Sequence, residues 1–101
     1  MVELYTERDM DILVSVCRDN PEIVIDSVIR VEETILGDSE KVTAKVTAVL
    51  ENSDGVTLVL TSNEEIKVRS PTRRKIKISI TADVVQNRPL HDFIRGVKRG
   101  F

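Results

Sequence analysis

Two side chains in this sequence have the chemistry for nucleophilic catalysis, the single cysteine and the single histidine, Cys17 and His91. A Cys–His pair is active when the histidine takes the thiol proton and stabilises the thiolate. Here the two residues fall on different predicted elements, and no local motif surrounds either one. Cys17 is explained more simply as a small core residue, and His91 as a polar residue of a helix. The sequence therefore predicts no catalytic residue, and a protein that is not an enzyme.

Acid–base and metal chemistry have no better candidates. The adjacent glutamates Glu32-Glu33 and Glu64-Glu65 sit in extended or turn segments, where neighbouring side chains point to opposite faces and do not form a dyad. One cysteine and one histidine do not give the ligand spacing of a zinc site. The four glycines are scattered and form no phosphate-binding loop. We predict no metal and no cofactor.

The chemistry that remains is a cluster of cations around the segment SPTRR, residues 70–74. The residues predicted to bind a partner are these cations and one aromatic residue: Arg69, Arg73, Arg74, Lys75, Lys77 and Phe101. Residues 1–65 carry fifteen Asp/Glu and five Lys/Arg, a net charge of −10, whereas residues 66–101 carry two and ten, a net charge of +8. Such a division creates an acidic and a basic face on one molecule, or pairs the charges within the fold. The sequence leaves both interpretations open.

The elements that must position these residues are those of a single α+β domain, residues 1–101. Thr6 and Asp9 have the spacing of a capping box at the start of a helix, which should end at Asn20-Pro21. Four apolar residues share one face of this helix: Met10, Leu13, Val14 and Cys17. The run ILVSV within it is also compatible with a strand.

From Ile23 the apolar residues recur every second position, which predicts an antiparallel meander of four or five strands. Turns are expected at Gly37-Asp38, at Ser53-Asp54-Gly55 and at Ser62-Asn63. The predicted inward residues of the strand between the first two turns are Val42, Ala44, Val46, Ala48 and Leu50.

The stretch IKVRSPTRRKIKISITADVV, residues 66–85, then reads as a hairpin that turns at Ser70-Pro71-Thr72. Its polar side chains should face water and its isoleucines the core. A C-terminal amphipathic helix follows from Pro89. Its apolar residues are Leu90, Ile94 and Val97, with Phe93 beside them, and Phe101 is the residue most available to a partner.

Composition places the chain among ordinary globular proteins. Of its 101 residues 41% are hydrophobic and 32% charged, and one domain of this length buries enough surface to fold without disulfides. The single cysteine fits a reducing compartment, and no apolar run is long enough to span a bilayer. We therefore expect a soluble protein of the cytoplasm.

Two segments resemble parts of known structural proteins. A helix followed by NPEIVIDSVIRV and KVTAKVTAVL is similar to the helix and strands of contractile-phage baseplate wedge proteins. The segment VRSPTRRKIKISITADVV, followed by RPLHDFIRGVKRGF, is similar to the strand–helix units of baseplate J-like proteins. The resemblance implies a non-enzymatic component of a virion or phage tail, held in place by neighbouring proteins.

Three kinds of partner fit the basic cluster. The first is a neighbouring protein in an assembly, through self-association or a larger complex, because complementary charges make head-to-tail contacts. The second is nucleic acid, although an aromatic content of 3% leaves little for bases to stack on. The third is a single target protein, to which the chain would bind as an adaptor or inhibitor. No membrane partner is expected. The sequence favours a protein partner.

Overall fold

The protein folds into one antiparallel six-stranded sheet with helices packed on its apolar face, in a computed structural model that describes residues 1–35, 37–69 and 75–100. The elements in chain order are β1 (Val2–Leu4), α1 (Glu7–Asp19), α2 (Pro21–Val24), β2 (Val28–Ile35), β3 (Asp38–Glu51), β4 (Gly55–Leu60), β5 (Glu65–Arg69), β6 (Lys75–Ile80), a 3-10 turn (Val85–Asn87) and α3 (Arg88–Arg99). The strand order across the sheet is β1-β6-β2-β3-β4-β5. The predicted α+β class, with a helix near each end, is confirmed.

The first helix follows the sequence prediction closely. The Asp9 amide donates to Thr6 Oγ1 over 3.0 Å and the Thr6 amide donates to Asp9 Oδ2 over 3.2 Å, which completes the capping box. The helix ends at Asp19, just before Asn20-Pro21. Its predicted apolar face is buried in full: Met10, Leu13, Val14 and Cys17. The run ILVSV is therefore helical.

The strand prediction begins too early. Pro21 instead opens the one-turn helix α2, because its fixed φ suits a first helical turn and its missing N–H is not needed there. Ile25 is exposed, Asp26 has a φ of +74°, and β2 starts only at Val28. From there the alternation holds, and Ile29 is buried as predicted.

Strands β2 to β5 form the predicted meander, in which each strand pairs with the next. The long strand β3 pairs with β2 along its first part and with β4 along its second. Between Val46 and Ala48 a β-bulge shifts the alternation by one position. Val49 therefore packs against the core, and Leu50 is half exposed. The predicted inward positions of Ala48 and Leu50 are wrong for this reason.

Strands β5 and β6 do not form the predicted hairpin. Within the described residues β5 pairs with β4, while β6 lies between β1 and β2, with Ile78 opposite both Leu4 and Val31. Strand β1, which was not predicted, makes six strands rather than four or five. Alternation buries one face of a strand whichever neighbour it has, so the pattern does not select the partner. The turn predicted at residues 70–72 lies outside the described residues.

Arg18, near the end of α1, fastens the helix to the β3–β4 turn. Its guanidinium donates to the carbonyl oxygens of Asn52 (3.0 Å) and Gly55 (3.3 Å). Gly55 is buried opposite Arg69, and a Cβ added to it would lie 2.0 Å from the Val68 carbonyl oxygen. Glycine is thus required at this position, because any side chain would collide with the backbone of β5.

The side chain of Asn87 completes the sheet where β6 has ended. Its Oδ1 accepts a hydrogen bond from the Val28 amide (2.6 Å), and its Nδ2 donates to the Val28 carbonyl oxygen (2.8 Å). Asn87 is fully buried, and β6 pairs with β2 no further along the chain than Ser79. The amide group therefore takes the place of a neighbouring strand and holds the chain just before α3 against β2.

We predict that Asn87→Ala lowers the free energy of unfolding by about 2 kcal/mol or more, because both backbone groups of Val28 lose their partners. Denaturant unfolding measures the loss, and hydrogen exchange of the Val28 amide should accelerate. Gln86→Ala, an exposed neighbour, serves as the control and should stay within about 0.5 kcal/mol of the wild type. Equal stability of the two variants would contradict this role for Asn87.

One buried carboxylate, that of Asp9, joins three elements. It accepts hydrogen bonds from the amides of Tyr5 (3.1 Å) and Thr6 (3.2 Å), and Lys98 Nζ of α3 lies 3.3 Å from its other oxygen. Lys98 Nζ also donates to the Glu3 carbonyl oxygen of β1 (2.9 Å). Burial raises the pKa of the Asp9 carboxyl, but the amide and ammonium donors outweigh it, and the pKa lies below its usual value of 3.8.

We predict that Asp9→Asn lowers the free energy of unfolding at neutral pH by about 1–3 kcal/mol, because a charged acceptor of three donors is lost. A carboxyl whose pKa is lowered by folding stabilises the fold above its unfolded-state pKa, and this contribution disappears as the pH falls through its folded-state pKa. The wild type and the variant should therefore converge below pH 3.8.

Urea unfolding between neutral and acid pH measures this convergence. Asp11→Asn, on the exposed side of the same helix, is the matched control and should change stability by less than about 0.5 kcal/mol. A difference between wild type and Asp9→Asn that is the same at every pH would show that the charge of Asp9 contributes nothing.

Candidate functional site

The thiol and imidazole that could do nucleophilic chemistry are both buried. Cys17 lies in the core, and burial raises the pKa of its thiol to about 12, so the thiol is protonated at neutral pH. His91 is also buried, and its Nδ1 lies 3.0 Å from Asp92 Oδ1. This arrangement supports the core interpretation of Cys17. Within the described ranges, no three His, Cys, Asp or Glu side chains are grouped to hold a metal ion.

We predict that Cys17 reacts with a thiol reagent only after unfolding, because the thiol is buried and protonated. Labelling of the native protein with a chromogenic disulfide reagent at neutral pH should be slow, and labelling in denaturant should be rapid and complete. Rapid labelling of the folded protein would show instead that α1 opens readily and exposes the thiol.

The structure separates the residues that the sequence grouped at the basic cluster. Lys75 and Lys77 lie on β6, whereas Arg69 lies on β5, with strands β2, β3 and β4 between them. Arg69 pairs with Asp54 of the β3–β4 turn, with 3.5 Å between Nε and Oδ2. The other three predicted partner-binding residues lie outside the described residues: Arg73, Arg74 and Phe101.

In place of the predicted cluster, the strand order assembles a basic surface on the side of the sheet that faces away from the helices. Across β3, β2 and β6 the register aligns Lys41, Glu32 and Lys77 in one row. Neighbouring rows hold Arg30, paired with Thr43 and Ser79, and Lys75, paired with Thr34. On this side of β2, β3 and β6 five cations project, and we call them the basic face: Arg30, Lys41, Lys45, Lys75 and Lys77.

Two carboxylates moderate the charge of the basic face. Glu32 lies 3.4 Å from Arg30 and 3.9 Å from Lys41, and Glu3 of β1 lies 3.3 Å from Lys77. Five cations and two carboxylates leave this surface with a net charge of +3. Exposed ion pairs of this kind contribute little to stability, so the remaining charge is available to a partner at small cost to the fold.

The division of charge along the chain is partly cancelled within the fold. Among the described residues, three ion pairs connect residues 1–65 with residues 66–101: Asp54–Arg69, Glu3–Lys77 and Asp9–Lys98. These pairs reduce net charges of −10 and +8 to −7 and +5, so pairing accounts for part of the division.

Sequence reasoning identified two members of the basic face, Lys75 and Lys77, and missed three. Arg30, Lys41 and Lys45 stand at the outward positions of their alternating strands, so their exposure was visible in the sequence. Their proximity to β6 was not, because it requires β6 to pair with β2 across the intervening chain.

Comparison with protein families, curated proteins and solved structures finds no match to this chain. The resemblance to baseplate proteins therefore stays a prediction. In the part of the chain that the structure describes, no helix combines the length and apolar character needed to cross a membrane.

Proposed function

We propose that this protein is a non-enzymatic assembly subunit, and that its basic face binds an acidic surface of a neighbouring protein. The observation that carries the proposal is the row formed by Lys41, Glu32 and Lys77, flanked by Arg30 and Lys75, on the exposed side of the sheet. The pairing of the strands fixes the spacing of these cations and carboxylates. A surface with a fixed pattern of charges recognises a partner whose charges are complementary to it.

A protein partner is favoured over nucleic acid by the position of the aromatic residues. Readers of single-stranded nucleic acid stack bases on aromatic side chains of a sheet face. Here Tyr5 lies between β1 and α1, and Phe93 lies on α3, so neither described aromatic residue belongs to a strand of the basic face. The small neighbour Thr43 is exposed and offers a hydrogen bond but no stacking surface, and Ser79 is buried. Binding of nucleic-acid phosphates by the cations alone is the second candidate function.

An adaptor or inhibitor of one target protein would use the same basic face. A phage-tail component is the specific form of assembly subunit that the baseplate resemblance implies. These forms differ in the identity of the partner and not in the chemistry of the surface, since each presents carboxylates to the same five cations.

We predict that a photoactivatable amino acid placed at Thr43 crosslinks a protein in cells of the source organism. Thr43 is exposed between Lys41 and Lys45, opposite Arg30, and carries no charge, so the replacement preserves the cations. Val85, exposed on another surface, is the control position and should give no such product. The crosslinked product should be degraded by protease and resist nuclease, whereas a nuclease-sensitive product would contradict a protein partner.

The same experiment tests the role of charge. Lys75→Gln with Lys77→Gln should reduce crosslinking from position 43 by about tenfold, because partly desolvated charge contacts of about 1.4 kcal/mol are lost. Arg88→Gln with Arg95→Gln removes the same charge from α3, on the other side of the sheet, and should leave crosslinking unchanged. No product at position 43 under any condition would contradict the proposed function.

A further inference from the structure

The helical side of the molecule carries a groove that the basic face does not explain. It has a volume of about 350 Å³ and lies between α1 and α3. Its floor consists of Ile12 and Val16 from α1 with Phe93 and Val97 from α3. The charged residues of the α1 wall are Arg8, Asp11 and Asp19, one cation and two carboxylates. An apolar floor beside a charged wall is the composition of a surface that packs against another protein.

The sequence of α3 shows that this groove is not required by the protein's own core. Leu90 and Ile94 are fully buried and provide the contact of α3 with the core, whereas Phe93 is 42% exposed. Gly96, one turn after Phe93, is exposed, and a Cβ added there would meet nothing within 4 Å. A glycine inside a helix costs about 1 kcal/mol relative to alanine, and no contact among the described residues requires glycine here. Gly96 leaves room for a close approach from outside.

The two helices that border the groove carry opposite charges. Helix α1 has four acidic and two basic residues, a net charge of −2, and α3 has one acidic and four basic residues, a net charge of +3. Lys98 near the end of α3 meets Asp9 near the start of α1, so the helices run in opposite directions. The helical surface therefore consists of an acidic helix, α1, beside a basic helix, α3. We call the apolar floor of the groove between them the apolar seam.

We infer that the groove is covered by a second copy of this chain, in a two-fold dimer that places α1 of each copy on α3 of the other. A two-fold axis parallel to the helices produces this arrangement and joins the two seams into one apolar interior. Asp9 and Lys98 neutralise each other within each chain, so each contact brings the remaining charge of α1, −1, against the remaining charge of α3, +2. A two-fold axis that crosses the helices at right angles would stack α1 on α1, where like charges repel.

This arrangement also accounts for the two unusual residues of α3. Phe93 of each copy enters the shared apolar seam, where an aromatic side chain contributes large contact area at low entropic cost. Gly96 faces α1 of the other copy and allows the two backbones to approach closely. The dimer uses the helical side and leaves the basic face exposed on both copies. The inference is thus independent of the proposed partner of that face.

Sedimentation equilibrium of the purified full chain tests the dimer. The wild type should show a reversible monomer–dimer equilibrium. Phe93→Ser should raise the dissociation constant about tenfold or more, because apolar contact area is lost from the seam. Val85→Ser replaces an exposed apolar residue outside the groove and should leave the constant unchanged. A wild type that stays monomeric at every concentration, or a dimer indifferent to Phe93→Ser, would overturn the inference.

Charge reversal tests which helices face each other. Asp11→Lys with Asp19→Lys changes α1 from −2 to +2, and Arg95→Glu with Arg99→Glu changes α3 from +3 to −1. Either pair alone makes the two helices like-charged and should abolish the dimer. All four changes in one chain restore opposite charges and should restore it.

Circular dichroism and thermal unfolding confirm that each charge variant is folded before sedimentation. If α1 packed on α1, each helix would meet a helix of its own charge in the wild type and in every variant, so neither pair of reversals would abolish the dimer. That result from a folded protein would overturn the arrangement. Loss of crosslinking at Thr43 with an intact dimer would instead contradict only the role of the basic face, so the two failures are distinguishable.

Discussion

The Asp9 carboxylate is the contact on which both surfaces of this protein depend. It caps α1 through Thr6, holds the preceding chain through the Tyr5 amide, and pairs with Lys98, which also binds the backbone of β1. Strand β1, α1 and α3 are thus joined at one point. With β1 held there, β6 gains a neighbour on each side. With α3 held there, it lies beside α1, and the groove forms between them.

The charges of the molecule have two different roles. Some connect elements, as Arg69 does with Asp54, and these neutralise part of the division between the acidic and basic parts of the chain. Others remain on surfaces, and the strand order and helix pairing decide which ones lie together. The sheet exposes a net positive charge, and on its other side the acidic helix α1 lies beside the basic helix α3. Surface ion pairs add little stability, but fixed patterns of charge give specificity and orientation to binding.

The parts of the fold that were predictable are those set by neighbouring residues. The capping box of Thr6 and Asp9, the stop at Pro21 and the turns around Gly37, Gly55 and Asn63 all depend on local backbone preferences. The predictions that were wrong concern strand pairing and register, which depend on residues far apart in the chain. The bulge after Val46 exposes Leu50, and β6 pairs with β2 and the unpredicted β1 instead of β5. For the same reason Lys75 and Lys77 were found from sequence, while Arg30, Lys41 and Lys45 were not.

By itself the sequence determined the α+β class, the start and end of α1, an antiparallel meander and, outside the bulge of β3, which side chains of each strand face water. These follow from capping, turn chemistry and the period of the apolar residues, which are local in origin. Only the tertiary structure decided which strands are neighbours, and therefore which cations share a face and which helices border a groove. The physical reason is that alternation specifies the buried side of a strand but not its partner, and the partner is chosen by packing between residues far apart in the chain.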